Sequence, residues 1–251
     1  MNVVNEAILS MIKKGDSLNK INKKTGIGKS TLYFHYKKLN GKKISIIKFN
    51  FPNENELGEF MGIFAGDGSF CKRPKSHYVL RVYIGFYEKH YADALNIKFQ
   101  EWFSKKPQIY FSYYKGKKSM ITLCYYSKVI YNLIKEYLQW DETKTLSVKL
   151  KELDLNKKKF NMGFLRGLID TDGNFYAPKK RVSFSTTSKV LASQVFVIIQ
   201  DLIEINPNLN IIKKEGRHDL YTLTLYGKNA KKLINLIKPR NINKNAALVQ
   251  W

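Results

Sequence analysis

The chain contains the same segment twice. Phe60-Met61-Gly62-Ile63-Phe64-Ala65-Gly66-Asp67-Gly68-Ser69-Phe70 and Leu165-Arg166-Gly167-Leu168-Ile169-Asp170-Thr171-Asp172-Gly173-Asn174-Phe175 both run from an apolar stretch into Asp-Gly, a polar residue and Phe. Later matches keep the same order. Arg81-Val82 is echoed by Arg181-Val182, Lys89 by Lys189, Ile121-Thr122-Leu123 by Tyr221-Thr222-Leu223, and Asn132-Leu133-Ile134-Lys135 by Asn235-Leu236-Ile237-Lys238. A series of matches in one order means a duplicated unit. The hydrophobic periods within each copy read helix, strand pair, helix, strand pair, helix. The expected fold is therefore α+β, two pseudo-symmetric αββαββα repeats behind a small all-α N-terminal domain. The boundaries fall at 1–48 for the N-terminal domain with its linker, 49–155 for the first repeat and 156–251 for the second.

The repeated helix explains its own composition. Gly58, Gly62 and Gly66 recur at every fourth position, as do Gly163 and Gly167. Each glycine costs about 1 kcal/mol in a helix interior relative to alanine. Small residues at that spacing let two backbones approach closely, so one copy is expected to pack on the other. Each helix then reaches an acid, Asp67 or Asp172, with Gly68 or Gly173 after it suited to a left-handed C-cap. Two negative helix ends, each with a carboxylate, make an anionic focus that needs a cation. Hard oxygen ligands favour Mg²⁺, with Mn²⁺ or Ca²⁺ able to take the same place.

Charge bounds the partner. Forty-four Lys and Arg against twenty Asp and Glu give +24 over 251 residues, which suggests a polyanionic partner, with nucleic acid the first candidate. An apolar share of 44% rules out a disordered basic tail. No apolar run approaches the roughly 18–20 residues of a membrane span. Met1 to Ser10 shows no signal pattern, so the expected location is cytoplasmic, or an organellar matrix if the gene is organellar. Cys71 and Cys124 alone make neither a zinc site nor a disulfide framework.

Residues 2–39 read as three helices. Val4, Ala7, Ile8, Met11 and Ile12 fall at helical spacing, and Gly15-Asp16 ends the run. Ser17 is the expected N-cap of a second helix, Gly26-Ile27-Gly28 a tight turn, and Lys29 or Ser30 the start of a third helix. Gly41 to Pro52 reads as a linker. Ser17 to Leu39 resembles the helix-turn-helix of simple bacterial and archaeal DNA-binding proteins, whose last helix enters the major groove. That helix offers Lys29, Ser30, Thr31, Tyr33, His35 and Lys37. Gly28-Lys29-Ser30 is no phosphate loop, because Lys23 stands where the loop needs glycine.

With these residues in view, Leu165 to Gly173 resembles the LAGLIDADG motif of homing endonucleases, and Phe60 to Gly68 a divergent first copy. The resemblance covers residues 56–251 and is to the monomeric, two-motif type. The second copy departs at Arg166 and Thr171, and the first at Met61, Phe64 and Ala65. The resemblance implies that Asp67 and Asp172 hold the catalytic metals, with the carbonyls of Gly66 and Thr171 beside them. It implies that Asp170, matched by Ala65, is not a main ligand, and that a lysine near the end of each half, Lys144 and Lys244, stands close to the site. It further implies two four-stranded sheets forming a saddle on the major groove. Candidate strand contacts are Lys72, Arg81, Tyr83, Tyr113 and Lys115, then Lys179, Arg181, Ser183, Ser185, Arg217 and Tyr226.

The expected function is site-specific, metal-dependent double-strand DNA cleavage by a monomer. Two alternatives stand beside it: a catalytically inactive DNA-binding regulator on the same scaffold, and an intron RNA-splicing maturase. An intein is disfavoured, because Met1 offers no nucleophile and Val249-Gln250-Trp251 no splicing His-Asn.

Overall fold

The structure, a computed structural model, describes residues 3–40, 47–73, 77–151, 157–213 and 215–241. It divides into two compact units, 1–46 and 47–251.

The first unit is built of α1 (Val3–Lys13), α2 (Leu18–Thr25) and α3 (Lys29–Asn40). Ile8, Ile12, Ile21 and Leu32 form its core, with Met11, Leu18, Ile27 and Tyr36 packed around them. Ser17 caps α2 by accepting from the Lys20 amide at 3.2 Å. Gly26 closes α2 at φ +70°, a conformation that costs other residues about 1–2 kcal/mol. Asn22 Nδ2 then donates to the Ile27 carbonyl at 2.8 Å and holds the turn into α3.

The second unit contains both repeats. The first runs α4 (Glu54–Ala65), β1 (Gly68–Arg73), β2 (His77–Gly85), α5 (Lys89–Phe103), β3 (Gln108–Tyr114), β4 (Lys117–Tyr126) and α6 (Lys128–Tyr137). A short addition follows: β5 (Leu138–Gln139), the single turn α7 (Lys144–Ser147) and β6 (Lys149–Leu150). The second repeat runs α8 (Lys157–Asp172), β7 (Gly173–Tyr176), β8 (Arg181–Thr186), α9 (Lys189–Ile203), β9 (Asn208–Ile212), β10 (Leu220–Tyr226) and α10 (Gly227–Ile237). Each forms a four-stranded antiparallel sheet with matching orders, β1-β2-β4-β3 and β7-β8-β10-β9.

Alternation fixes the two faces of each sheet. Leu80, Val82 and Ile84 on β2, and Ile121, Leu123 and Tyr125 on β4, are buried in the core. On α5 the stripe Tyr91, Leu95, Phe99 and Trp102 covers that face, and on α9 Leu191, Val195, Ile198 and Ile199 do the same for the second sheet. Arg81 and Tyr83 alternate with the buried residues of β2, and Arg181, Ser183 and Ser185 with Val182 and Phe184 of β8.

Three expectations are corrected. Gly68 and Gly173 are not left-handed caps, since neither is among the positive-φ glycines. They open β1 and β7, where an added Cβ would collide with the Phe64 or Ile169 carbonyl oxygen, so closeness to the preceding turn selects glycine. The first helix stops earlier than expected, at Ala65, with Gly66 at φ −75° and ψ −99°. The chain after Ile47 is not a linker: Phe49 and Phe51 pack against Trp102 and Phe103, and the Asn50 amide donates to the Trp102 carbonyl at 2.8 Å. Among the described residues no helix is long and apolar enough to cross a membrane.

Candidate metal centre and nucleic-acid face

The centre is set by how closely α4 and α8 approach. An added Cβ would strike the Phe160 carbonyl oxygen at Gly58, that of Phe164 at Gly62, that of Asn55 at Gly163 and that of Glu59 at Gly167. At the end of this seam, a Cβ on Gly66 would meet Thr171 Oγ1 and stand 2.9 Å from Asp172 Oδ2. The second repeat's acid thus lies against the backbone just before Asp67. Asp67, Gly66 and Lys144 line one cleft together with Ser69, Tyr83 and Glu142.

Lys144, the first residue of α7, reaches back across the chain. Its ammonium donates to the carbonyls of Phe64, Ala65 and Gly66 at 2.8, 2.7 and 2.8 Å. These are the orphan acceptors at the negative end of α4. Burial pulls the Lys144 ammonium down to about 8, against the opposing attraction of Asp172 and Asp67. Both acids therefore act on one lysine. The Gly66 carbonyl, expected beside the metal, accepts from Lys144 here. Lys244 lies outside the described residues.

The lowered value has a stability consequence. The unfolded chain binds a proton at this lysine up to about pH 10.5, the folded chain only up to about 8. The proton missing from the folded state means that stability falls as pH drops from 10.5 to 8. Relative to Lys144→Met, the wild type should lose roughly 1–3 kcal/mol across that window. Below it the difference should be flat. Denaturant unfolding of both proteins across this range tests the slope.

Asp170 is turned away from this centre. Its carboxylate accepts from the Arg240 amide at 2.9 and 3.0 Å and from the Asn241 amide at 2.9 Å. Arg166, the motif's departure, crosses the seam: its guanidinium donates to Glu59 at 2.8 Å, to Asn55 at 2.8 Å and to the Ile237 carbonyl at 2.6 Å. Arg240 completes the cluster on Glu59 at 2.6 Å and Glu56 at 2.8 Å. Glu59 is wholly buried, and two guanidiniums offset the cost of burying its charge. The carboxylates stand on the first repeat's helix and the arginines in the second repeat. Sequence reading missed Glu59 and Arg240; the available signal was a pair of acids at helical spacing inside an otherwise apolar helix.

The oxygen-only donor set fits a hard divalent cation. Among the described residues no group of three or more His, Cys, Asp or Glu side chains could hold a metal. Two carboxylates leave positions for water and phosphate oxygens, as Mg²⁺ prefers.

The sheet faces away from the core hold most strand candidates. Arg81 and Tyr83 share theirs with Ser69, Thr122, Gln108 and Tyr110 by register. Arg181, Ser183, Ser185 and Tyr226 share theirs with Asn174, Tyr176, Asn208, Asn210, Thr222 and Thr224. These added polar residues follow from pairing the strands, which composition alone does not give. Tyr113 and Lys115 sit at the β3–β4 turn, where Lys115 and Gly116 both take positive φ. Lys179 lies in the exposed turn before β8, and Arg217 is exposed between β9 and β10. Lys72, on β1, pairs with Tyr78 of β2. On α3, Lys29, Ser30, Thr31, Tyr33 and Lys37 are exposed, and His35 is half-buried.

A family model described as a LAGLIDADG-like domain matches residues 159–238. The second repeat is thus similar to LAGLIDADG-like domains. Solved structures extend the likeness over both repeats. The homing endonuclease I-WcaI bound to its DNA recognition sequence is 16% identical, with 90% of this chain and 96% of that chain covered at a TM-score of 0.54. I-DmoI in complex with DNA and Ca is 17% identical, with 79% and 98% covered at 0.52. At these identities the shared property is the LAGLIDADG fold. No curated protein sequence matches the chain.

Proposed function

We propose that the chain is a site-specific endonuclease that hydrolyses one phosphodiester in each strand of duplex DNA. The single observation that supports this most is the meeting of Asp172 with Gly66, the residue just before Asp67, at the end of the helix seam. Asp67 and Asp172 would hold the divalent cation, which when bound supplies charge stabilisation and a water acidic enough to attack phosphate. The polar sheet faces would lay the two halves of the target along the major groove, where Asn, Ser, Thr and Arg side chains read base edges. Lys144 would fix the end of α4, and with it the position of Asp67. The three N-terminal helices would lengthen the bound site through α3.

The test is incubation of the full chain with duplexes that it selects from a randomised pool. Cutting of both strands with Mg²⁺, and none with chelator, is the expected result. Selection of DNA without cutting under any divalent cation would leave a DNA-binding protein, and stronger capture of RNA would replace the substrate. Binding should also depend steeply on salt. Neutralising about 6–10 phosphates implies a loss of about 10³–10⁵ in affinity between about 50 and 200 mM salt. A flat salt titration would remove the duplex from the reading.

A further inference from the structure

We infer that Phe34 reads a thymine 5-methyl group in the major groove, as a specificity-determining residue of the N-terminal unit. The inference rests on the proposed DNA-binding role of α3 and adds to it what that helix recognises. Leu32 is wholly buried in the small core of this unit and Tyr36 packs against it, which fixes the inward face of α3. Ser30 and Phe34 are four residues apart and so are neighbours on the helix surface. Phe34 is 63% exposed, the most of any phenylalanine among the described residues, and its ring meets that of His35 edge-on at 5.6 Å.

The surroundings identify the ligand chemistry. Residues 1–46 contain ten lysines against two acids, Glu6 and Asp16, and α3 itself carries no acid. Such a surface favours a polyanion over an apolar protein partner. Lysine, serine and threonine on α3 match phosphate and base edges, but a phenyl ring offers no donor or acceptor to adenine, guanine or cytosine. The apolar feature of the major groove is the thymine methyl, which phenylalanine contacts directly.

The experiment uses the full chain and a duplex selected by it, with thymidines replaced one at a time by deoxyuridine. The wild type should lose about 4-fold in affinity at one or two positions, the worth of one buried methyl group. Phe34→Ala should be insensitive at those same positions, keep its sensitivity elsewhere, and retain the wild-type thermal midpoint. No Phe34-dependent position would overturn the inference, as would a large drop in midpoint without such a position, which would mean that protein covers the ring. Lys29→Ala and Lys37→Ala separate this from the underlying reading. Each should reduce the slope of log affinity against log salt by about 1. If neither changes the slope, α3 does not bind DNA at all; if both do and deoxyuridine has no effect, only the role of Phe34 fails.

Discussion

Asp67→Asn and Asp172→Asn should each lower double-strand cleavage by about 10³-fold while the target stays bound. Metal-borne charge stabilisation is worth several kcal/mol, and each 1.36 kcal/mol is tenfold in rate. Asparagine keeps the size of the side chain and removes the charge that would hold the cation. Binding should persist or tighten, because repulsion between carboxylate and phosphate falls. Within the two motifs no second acid is placed to substitute, although Glu142 lines the same cleft. The first repeat has Ala65 two residues before Asp67. The second has Asp170, but that carboxylate is held by the amides of Arg240 and Asn241. Nicking and double-strand cutting of a selected duplex, measured in Mg²⁺ and in Mn²⁺, distinguish the two strands. Wild-type cutting by both variants would remove Asp67 and Asp172 from the metal site.

The seam and its acids were legible because both are local patterns. Glycine at every fourth position has few uses besides close helix packing, and the duplication shows that the pattern was kept twice. That the two sheets share one strand order follows from the same duplication. What sequence hides is long-range or depends on register. The contacts of Lys144 span 78 to 80 residues, and it is an addition after α6 that delivers the lysine to them. The Glu59–Arg240 pair spans 181 residues, and no helical period indicates which arginine meets a given acid. Gly68 and Gly173 were assigned a handedness when they answer a steric demand, two needs that sequence writes with the same letter. Phe49 and Phe51 sit in a basic, punctuated stretch that resembles a linker, yet Phe51 packs against the core and Phe49 rests on Phe103 at its edge.

Gly163→Ala should destabilise the second unit by about 3 kcal/mol, the upper range for overpacking a tight site. The sign of the effect is informative. Alanine is the better helix former by about 1 kcal/mol, so on a loosely packed α8 the same substitution would stabilise. Here the new methyl would occupy the space of the Asn55 carbonyl group, and the Glu59 amide nitrogen stands at 2.9 Å. Both belong to helix backbone and cannot swing aside, so α4 and α8 would have to separate. Gly116→Ala is the control. Nothing stands within 4 Å of its Cβ, and its φ of +75° predicts only handedness strain of about 1–2 kcal/mol. Unfolding in denaturant should rank Gly163→Ala as clearly the worse of the two. Separation of the helices would also move Asp172 off the Gly66 backbone and break the Arg166–Glu59 bridge. Cleavage by Gly163→Ala should therefore fall at temperatures where the variant is fully folded, while Gly116→Ala cuts normally. Full activity in a folded, stabilised Gly163→Ala would mean that the seam does not set the spacing of the two acids.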